Sequence, residues 1–387
     1  MSHRLRIIVT GLVAQYPLGG VAWDYLQYVL GFARLGHEVY YIEDTGQWPF
    51  NPHEGGVSQS CEFNVRYLAA LMARYGFGSK WAYRFPWESR WFGMPADARE
   101  DAIASADVLI NVSGSLASPG DFRSSKCMVY IDSDPVFTQI KLARGQADFR
   151  RMIDIHDVHF SFGESLPGTA PPTGHQWRPT RQPIVISEWH PEFPHRDVFT
   201  TVMNWTSYSP VVFDGRTYGQ KDMEFRRFID LPRRVSPAVL EIAVNAGKTR
   251  RTPRELLCHN GWHVVNPDDV CPDMDSYRSY IQSSCAEWSV AKNGYVVGNS
   301  GWFSCRSACY LAAGRPVVVQ DTGFSPYLPV GKGILPFTTL DEAIAGVNEV
   351  RRNYAVHSAG ARAIAESHFD SDIVLSRLLA EAGVVAR

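Results

Sequence analysis

The chain has 387 residues, which is too long for one ordinary domain core and fits two domains. Its charged residues nearly cancel, at a formal net charge of -2, so binding of nucleic acid through a basic surface is not expected. No stretch reaches the roughly 20 apolar residues that a transmembrane segment needs, and the first apolar run, 7–10, is too short for a signal peptide. We therefore expect a cytoplasmic location.

The first half alternates predicted strands and helices. A strand at 5–10, a loop with Gly19 and Gly20, a helix at about 22–35 and a strand at 39–42 form a β-loop-α-β unit. Such a unit implies parallel strands joined by a right-handed crossover. A helix is also predicted at 62–75, and further strands are predicted at 108–112, 127–131, 158–162 and 183–186. No regular pattern emerges between 79 and 97.

A proline-rich stretch at 191–195 marks the predicted domain boundary. The second half repeats the alternation, with strands predicted at 200–205, 240–244, 263–265, weakly at 296–297, and at 316–320. Its helices are predicted at 255–259, 276–284, 306–313, 341–354, 357–368 and 372–382. The fold class is therefore α/β, with two Rossmann-like, doubly wound domains that face a central cleft. We expect these domains over 1–196 and 197–368, and a C-terminal helix within 369–387 that packs back on the first domain.

The seven cysteines include no C-x-x-C pair. Cys305 and Cys309 lie four residues apart, on one face of the predicted helix. No His or further Cys pair lies near them in sequence, so small buried thiols are favoured over a metal site. We expect neither a metal nor a resident cofactor.

A motif in the second half resembles that of a known enzyme superfamily. Residues 304–318 read SCRSACYLAAGRPVV, and the loop 321–324 reads DTGF. This pattern is similar to the signature of GT-B glycosyltransferases, in particular the group-1, spore-protein-like enzymes, over about 286 to the C-terminus. The resemblance implies that 1–196 binds the acceptor and that 197–368 binds a nucleotide diphosphate sugar, which is a co-substrate rather than a cofactor.

The chain departs from the pattern of these enzymes in one respect. Retaining group-1 enzymes carry two glutamates eight positions apart around this helix, and the second usually holds the nucleotide ribose. Here those positions hold Gly301 and Cys309. The motif therefore supports binding of a nucleotide sugar more firmly than a retaining mechanism.

The donor site is expected in three parts. The loop that opens the helix at 306 offers backbone N–H groups, and Arg306 offers a guanidinium, to the leaving diphosphate. The loop after the strand at 316–320 suits sugar hydroxyls, and the resemblance implies two further basic ligands. The expected donor-binding residues are Trp205, Arg216, Lys221, Gly301, Trp302, Ser304, Arg306, Asp321, Thr322, Gly323 and Phe324.

An inverting transferase also needs a base on the acceptor side of the cleft. Asp134, at a strand end, is the preferred candidate, and Glu164 is the second. The other candidates that the pattern leaves open are Asp132, His156, His159 and Asp24, whereas His37 suits a helix end.

Three functions are compatible with these patterns. The first is transfer of a hexose from a nucleotide diphosphate sugar to a small-molecule, for example natural-product, or carbohydrate acceptor. The second is a GT-B-like protein that binds nucleotide sugars without turnover, which the missing acids suggest. The third is a nucleotide-sugar 2-epimerase. A homodimer is compatible with each of them.

Overall fold

The computed structural model describes residues 4–191, 196–245 and 252–384. Most of the predicted domain boundary, 192–195, lies outside these described residues. Within them, no helix is both long enough and apolar enough to cross a membrane.

The N-terminal domain is built on an eight-stranded sheet of order β10-β9-β8-β7-β1-β2-β5-β6. Its neighbours pair in parallel except β5 and β6, and β3 and β4 form a separate short hairpin. The strands are β1 (Arg6–Thr10), β2 (Glu38–Glu43), β3 (Phe50–Asn51), β4 (Gly56–Val57), β5 (Trp81–Phe85), β6 (Arg90–Gly93), β7 (Val108–Val112), β8 (Cys127–Asp132), β9 (Val158–Ser161) and β10 (Trp177–Pro179). The helices are α1 (Gly19–Arg34), α2 (Glu62–Arg74), α3 (Ala96–Ala104), α4 (Phe137–Ala143) and α5 (Ala147–Asp154).

The C-terminal domain is built on a six-stranded, all-parallel sheet of order β15-β14-β11-β16-β17-β18. A short antiparallel hairpin, β12–β13, lies apart from it. The strands are β11 (Val198–Met203), β12 (Val211–Phe213), β13 (Arg216–Tyr218), β14 (Val239–Val244), β15 (His263–Val265), β16 (Ala286–Ser289), β17 (Val317–Gln320) and β18 (Ile334–Phe337). The helices are α6 (Lys221–Phe225), α7 (Leu231–Arg234), α8 (Arg254–His259), α9 (Pro267–Val270), α10 (Met274–Gln282), α11 (Asn293–Val297), α12 (Cys305–Ala312), α13 (Leu340–Arg352), α14 (Tyr354–His368) and α15 (Ser371–Glu381).

The predicted fold class is confirmed, because both sheets are doubly wound and, apart from the edge strand β6, parallel. Two predicted strands are wrong. Residues 183–186 make a single bridge, from Ile184 to Asp370, and then enter a 3-10 turn, whereas 296–297 lies inside α11. The aromatic stretch without a predicted pattern contains β5 and β6.

Each sheet has a point where the chain reverses its winding direction. In the first sheet this point lies between β1 and β7, and in the second it lies between β11 and β16. Loops that leave the carboxyl ends of two such strands diverge, which opens a crevice for ligands. The fold therefore places one ligand-binding crevice in each domain.

Helix α1 joins the two domains because it is buried on nearly every side. The Trp23 side chain is fully buried, and its indole N–H donates to the Met274 carbonyl of α10, 2.9 Å away. On another face, Gly31 lies against Leu375 and Ser371 of α15. A helix that is buried on nearly every side is stable only inside a core. Here α10, α15 and the N-terminal domain together form that core.

We expect Gly31→Ala to destabilise the protein by about 1–3 kcal/mol, although Ala is normally the better helix former. An added Cβ would lie 2.5 Å from Leu375 Cδ1 and 2.9 Å from Ser371 Cβ. Chemical denaturation measures the effect. In a Leu375→Ala background the same change should cost at least about 1 kcal/mol less, because the clash is relieved. Strictly additive effects would contradict this packing.

Candidate functional site

A cavity of about 410 Å³ opens between the two domains, and we refer to it as the cleft. The N-terminal domain lines it with the start of α1 and with Ser133, which follows β8. The C-terminal domain lines it with residues after β11, β14 and β16 and with the first residues of α6 and α12. Both crevices that the sheet topology creates therefore open into the same space.

Four residues expected to bind the donor line this cleft: Lys221, Trp302, Ser304 and Arg306. Lys221 begins α6, and Ser304 lies immediately before α12 with extended backbone. The first turn of α12 thus borders the cleft, where its N–H groups and dipole favour an anion.

The charge of Arg306 is already partly neutralised by the protein. Its guanidinium lies 2.6 Å from a carboxylate oxygen of Glu287, a fully buried residue of β16, and also donates to the Val202 carbonyl at 2.7 Å. Burial opposes the charge of Arg306, but Glu287 raises its pKa above the ordinary value. Removing this guanidinium would leave Glu287 buried without a counterion, so the residue also supports the fold.

Asp134, the preferred candidate for the catalytic base, forms hydrogen bonds and an ion pair that connect the two domains. Its carboxylate accepts hydrogen bonds from the Lys292 ammonium at 2.8 Å, from the Tyr208 hydroxyl at 2.7 Å and from the Tyr295 hydroxyl. Burial alone would raise its pKa, but Lys292 and these hydrogen bonds more than offset that effect and hold the pKa below its ordinary value. A carboxylate held this way is a weak base, so the structure argues against the sequence assignment.

Lys221 differs from the other two cations at the cleft. It is half-buried, and within the described part of the chain its ammonium has neither a hydrogen-bond nor an ion-pair partner. Burial lowers its pKa well below the ordinary value, and the charges of Arg306 and Lys292 lower it further. Among the described residues, Lys221, Arg306 and Lys292 therefore lie near one another, and of these three Arg306 and Lys292 have a carboxylate partner.

Asp24 is the acidic residue that the N-terminal domain places in the cleft. It lies on α1, one turn after Gly20, and is half-buried. Burial raises its pKa to about 7, and the nearby Arg306 charge offsets part of that rise. Within the described ranges this carboxyl has no hydrogen-bond or ion-pair partner, and a carboxyl with such a pKa is suited to accept a proton near neutral pH.

The loop 321–324, expected to bind the sugar, does not line the cleft. The Asp321 carboxylate accepts hydrogen bonds from the Gly323 and Phe324 backbone N–H groups, at 2.8 and 3.1 Å. The Thr322 hydroxyl donates to the Trp302 carbonyl at 2.5 Å, and the Phe324 side chain is buried against Phe303. These residues hold the loop before α12 in place and do not line the cleft.

Gly301 approaches the other domain rather than an open ligand site. Its φ is +73°, and an added Cβ would lie 2.7 Å from both the backbone nitrogen and the hydroxyl of Ser165. The neighbouring Trp302 makes a backbone bridge to Gly163. The glycine is therefore required for contact between the domains, whereas the sequence suggested close approach to phosphate.

Three other predicted residues also lie elsewhere. Glu164 pairs with Arg181, both largely buried, beside α15 and outside the cleft. Trp205 is 5% exposed and packs on Phe225 in the aromatic core of the C-terminal domain. Arg216 is exposed on the β12–β13 hairpin and does not line the cleft.

Sequence reasoning missed several residues of the cleft. Lys292 follows β16, a strand that no apolar run reveals because Glu287 interrupts it. Knowing that strand would have placed Lys292 at its carboxyl end. The cleft also contains polar or aromatic residues that carry no sequence signal, among them Asn204, Ser207, Gln220, Asn245, Asp268 and Tyr277.

No group of three or more His, Cys, Asp or Glu residues in the described ranges has the arrangement of a metal site. Cys309 is buried, and its sulfur lies 3.8 Å from the Gln27 side-chain nitrogen. Cys305, in contrast, lines the cleft. The two thiols do not form part of such a cluster.

Comparison with known sequences shows no family. No protein-family profile matches the chain. Over 132 residues it is 26% identical to a phosphoribosylamine--glycine ligase of Halalkalibacterium halodurans, and this match covers 34% of the chain and 28% of the ligase. The chain therefore matches less than a third of that curated relative's length.

Comparison with solved structures shows the fold. An alpha-glucosyltransferase in complex with UDP-glucose and DNA containing an abasic site superposes with a TM-score of 0.60, at 12% identity, over 98% of this chain and 100% of that chain. Anabaena HepE in complex with UDP-glucose gives 0.59 at 11% identity, over 98% and 100%. AviGT4, from avilamycin A biosynthesis, gives 0.55 at 14% identity, over 98% and 97%. The chain thus has the GT-B fold of glycosyltransferases.

We expect Asp24→Asn to stabilise the protein at pH 8 by on the order of 1–4 kcal/mol. The pKa of Asp24 is raised in the folded state, so wild-type stability is lost as the pH rises from about 4 to 7. Asparagine mimics the neutral form and avoids that loss. Denaturation at pH 4 and pH 8 measures the difference, which should disappear at pH 4.

Asp134→Asn is the matched control and should act in the opposite direction. Its pKa is lowered in the folded state, so the carboxylate contributes stability above pH 4 that is lost as the pH falls. We expect a loss of about 1–3 kcal/mol at pH 8, since Lys292 keeps a charge without its counterion. The same sign for both variants at pH 8 would contradict these assignments.

Proposed function

We propose that this protein transfers a hexose from a nucleoside diphosphate sugar to a hydroxyl group of an acceptor. The observation that carries the proposal is Lys221, a cation held in the cleft without a counterion in the part of the chain that the structure describes. A half-buried ammonium beside two other cations is unfavourable in the empty protein. A bound dianion would remove this repulsion.

A diphosphate fits this place better than a single negative charge does. The first turn of α12 borders the same part of the cleft as Lys221 and offers backbone N–H groups to a second phosphate. As the bond between sugar and diphosphate breaks, negative charge accumulates on the leaving group, and these fixed positive groups stabilise it. The arrangement needs no metal ion for that task.

Structures of the same fold support a uridine nucleotide as the first donor to examine. Both the alpha-glucosyltransferase and Anabaena HepE contain UDP-glucose. The fold alone specifies neither the nucleotide nor the sugar of the donor, so other nucleotide sugars are to be compared with UDP-glucose by binding. Thermal shifts with UDP-, ADP- and GDP-sugars would rank the donors, since a ligand that binds the native state raises its melting temperature.

For the acceptor we propose a small molecule or a saccharide. The loops after β2 and β5 carry Trp48 and Trp87, whose rings lie 5.2 Å apart, and Trp87 is 71% exposed. Exposed aromatic rings suit stacking on a sugar or another flat molecule. The net charge of -2 disfavours nucleic acid, although one structure of this fold contains DNA.

Lys221→Met should weaken UDP binding about 10- to 100-fold, since a charge-assisted contact with the diphosphate is lost. It should not lower the melting temperature of the unliganded protein, because the ammonium has no partner there. Isothermal titration with UDP measures the affinity, and Arg216→Ala is the control, because Arg216 lies outside the cleft. The proposal fails if Lys221→Met binds UDP as tightly as Arg216→Ala does.

Turnover separates transfer from the two other hypotheses. A transferase releases UDP in the presence of an acceptor, and slowly with water alone. A nucleotide-sugar 2-epimerase converts the donor without an acceptor and forms the epimeric sugar. UDP-glucose binding without UDP release, across a panel of saccharide and aromatic acceptors, would instead favour a binding protein without turnover.

A further inference from the structure

The carboxyl group of Asp24 is unusual because nothing in the described part of the protein binds it. Among the described side chains, that of Gln182 binds Asp24 through the backbone carbonyl, to which its amide donates at 2.9 Å. The side chain extends from α1 into the cleft, half-buried. A carboxyl group left without a partner costs stability, so a role toward a ligand would explain its presence.

Asp24 and the cations of the cleft belong to different domains. Asp24 comes from the N-terminal domain, whereas Lys221 and Arg306 come from the C-terminal domain. A sugar whose diphosphate lies at Lys221 and α12 would therefore have the acid on the side of the domain that presents the acceptor. If the N-terminal domain presents the acceptor, an acceptor hydroxyl would attack the anomeric carbon from this side.

Helix α12 supplies no acid to this reaction. Position 301 is a glycine in contact with the other domain, and Cys309 is buried beside Gln27. Among the described residues that line the cleft, the other acid is Asp268, an exposed residue of α9 in the C-terminal domain. One carboxyl on the acceptor side fits a single displacement, which needs one base and no separate nucleophile.

We propose that Asp24 is the general base of the transfer and that the transfer inverts the configuration of the anomeric carbon. This inference rests on the function proposed above. The acceptor hydroxyl gives its proton to the Asp24 carboxylate, and its oxygen forms a bond to the anomeric carbon. The bond from that carbon to the diphosphate breaks at the same time, and its electron pair leaves with the diphosphate. Asp24 later releases the proton to water.

The groups around Asp24 leave it as the group that titrates near neutral pH on its side of the cleft. The charged or titratable side chains that face it are Arg306, Cys305 and Cys309 of α12, Tyr277 of α10, and Tyr25 and Tyr28 of α1 itself. Burial raises the pKa of both thiols and all three phenols, which keeps them neutral. Lys221 comes from the C-terminal domain, and a bound diphosphate keeps it protonated.

Water serves as the acceptor in the test, so that no unidentified molecule is needed. UDP-α-glucose is incubated with the protein, and proton NMR identifies the glucose anomer released before mutarotation. We expect β-glucose, and a rate that rises with pH to a plateau above about 7. Release of α-glucose would overturn the inference and leave the proposed function intact. Binding of UDP-glucose without UDP release, in water and across the acceptor panel named above, would overturn both.

Asp24→Asn then tests the residue itself. It should bind UDP within about threefold of wild type and lose roughly 100-fold or more of the hydrolysis rate, the usual contribution of a general base. Asp24→Glu should recover part of the rate, and Asp134→Asn, assayed at a temperature where it is folded, should keep the pH dependence of wild type. Hydrolysis by Asp24→Asn at the wild-type rate would overturn the assignment. Loss of UDP binding by Asp24→Asn would overturn it too, since a base acts after binding.

Discussion

The site depends on an imbalance of charge between the two domains. Among the described residues, three cations border the cleft, and two of them have carboxylate partners, Glu287 for Arg306 and Asp134 for Lys292. Lys221 has none within the described residues, and the one acid that faces the cleft from the N-terminal domain, Asp24, is unpaired as well. Unpaired charged groups inside a protein cost stability, and a bound ligand that supplies their partners would offset this cost.

The fold holds this arrangement by fastening the domains together at several places. Helix α1 packs against α10 of the second domain and against α15 at the end of the chain. The Asp134 network crosses from the end of β8 to α11, and Gly301 allows the loop before α12 to reach Ser165. Because α1 is held from both sides, Asp24 is fixed relative to α12. Positioning of this kind lowers the entropy cost of bringing reacting groups together.

The sequence was sufficient for the fold class and for some of the residues that line the cleft, but not for the contacts that each residue makes. Hydrophobic periodicity revealed most helices and strands, since these patterns are local. It missed β16 because Glu287, needed by Arg306, interrupts the apolar run. Asp134 was correctly placed at a strand end, yet its partners Lys292, Tyr208 and Tyr295 come from the other domain, and no local pattern reveals them. In the same way, the sequence does not reveal whether a phosphate or another part of the protein lies against Gly301, the glycine before α12.

The central claim is that Lys221 and the start of α12 form the diphosphate site, and a crystal structure with UDP tests it most directly. We predict diphosphate oxygens within hydrogen-bond distance of the Lys221 ammonium and of the first backbone N–H groups of α12. Asp24 would then face the space in which the sugar of a complete donor lies. A diphosphate bound elsewhere, with the Lys221 ammonium still unpartnered, would contradict the account.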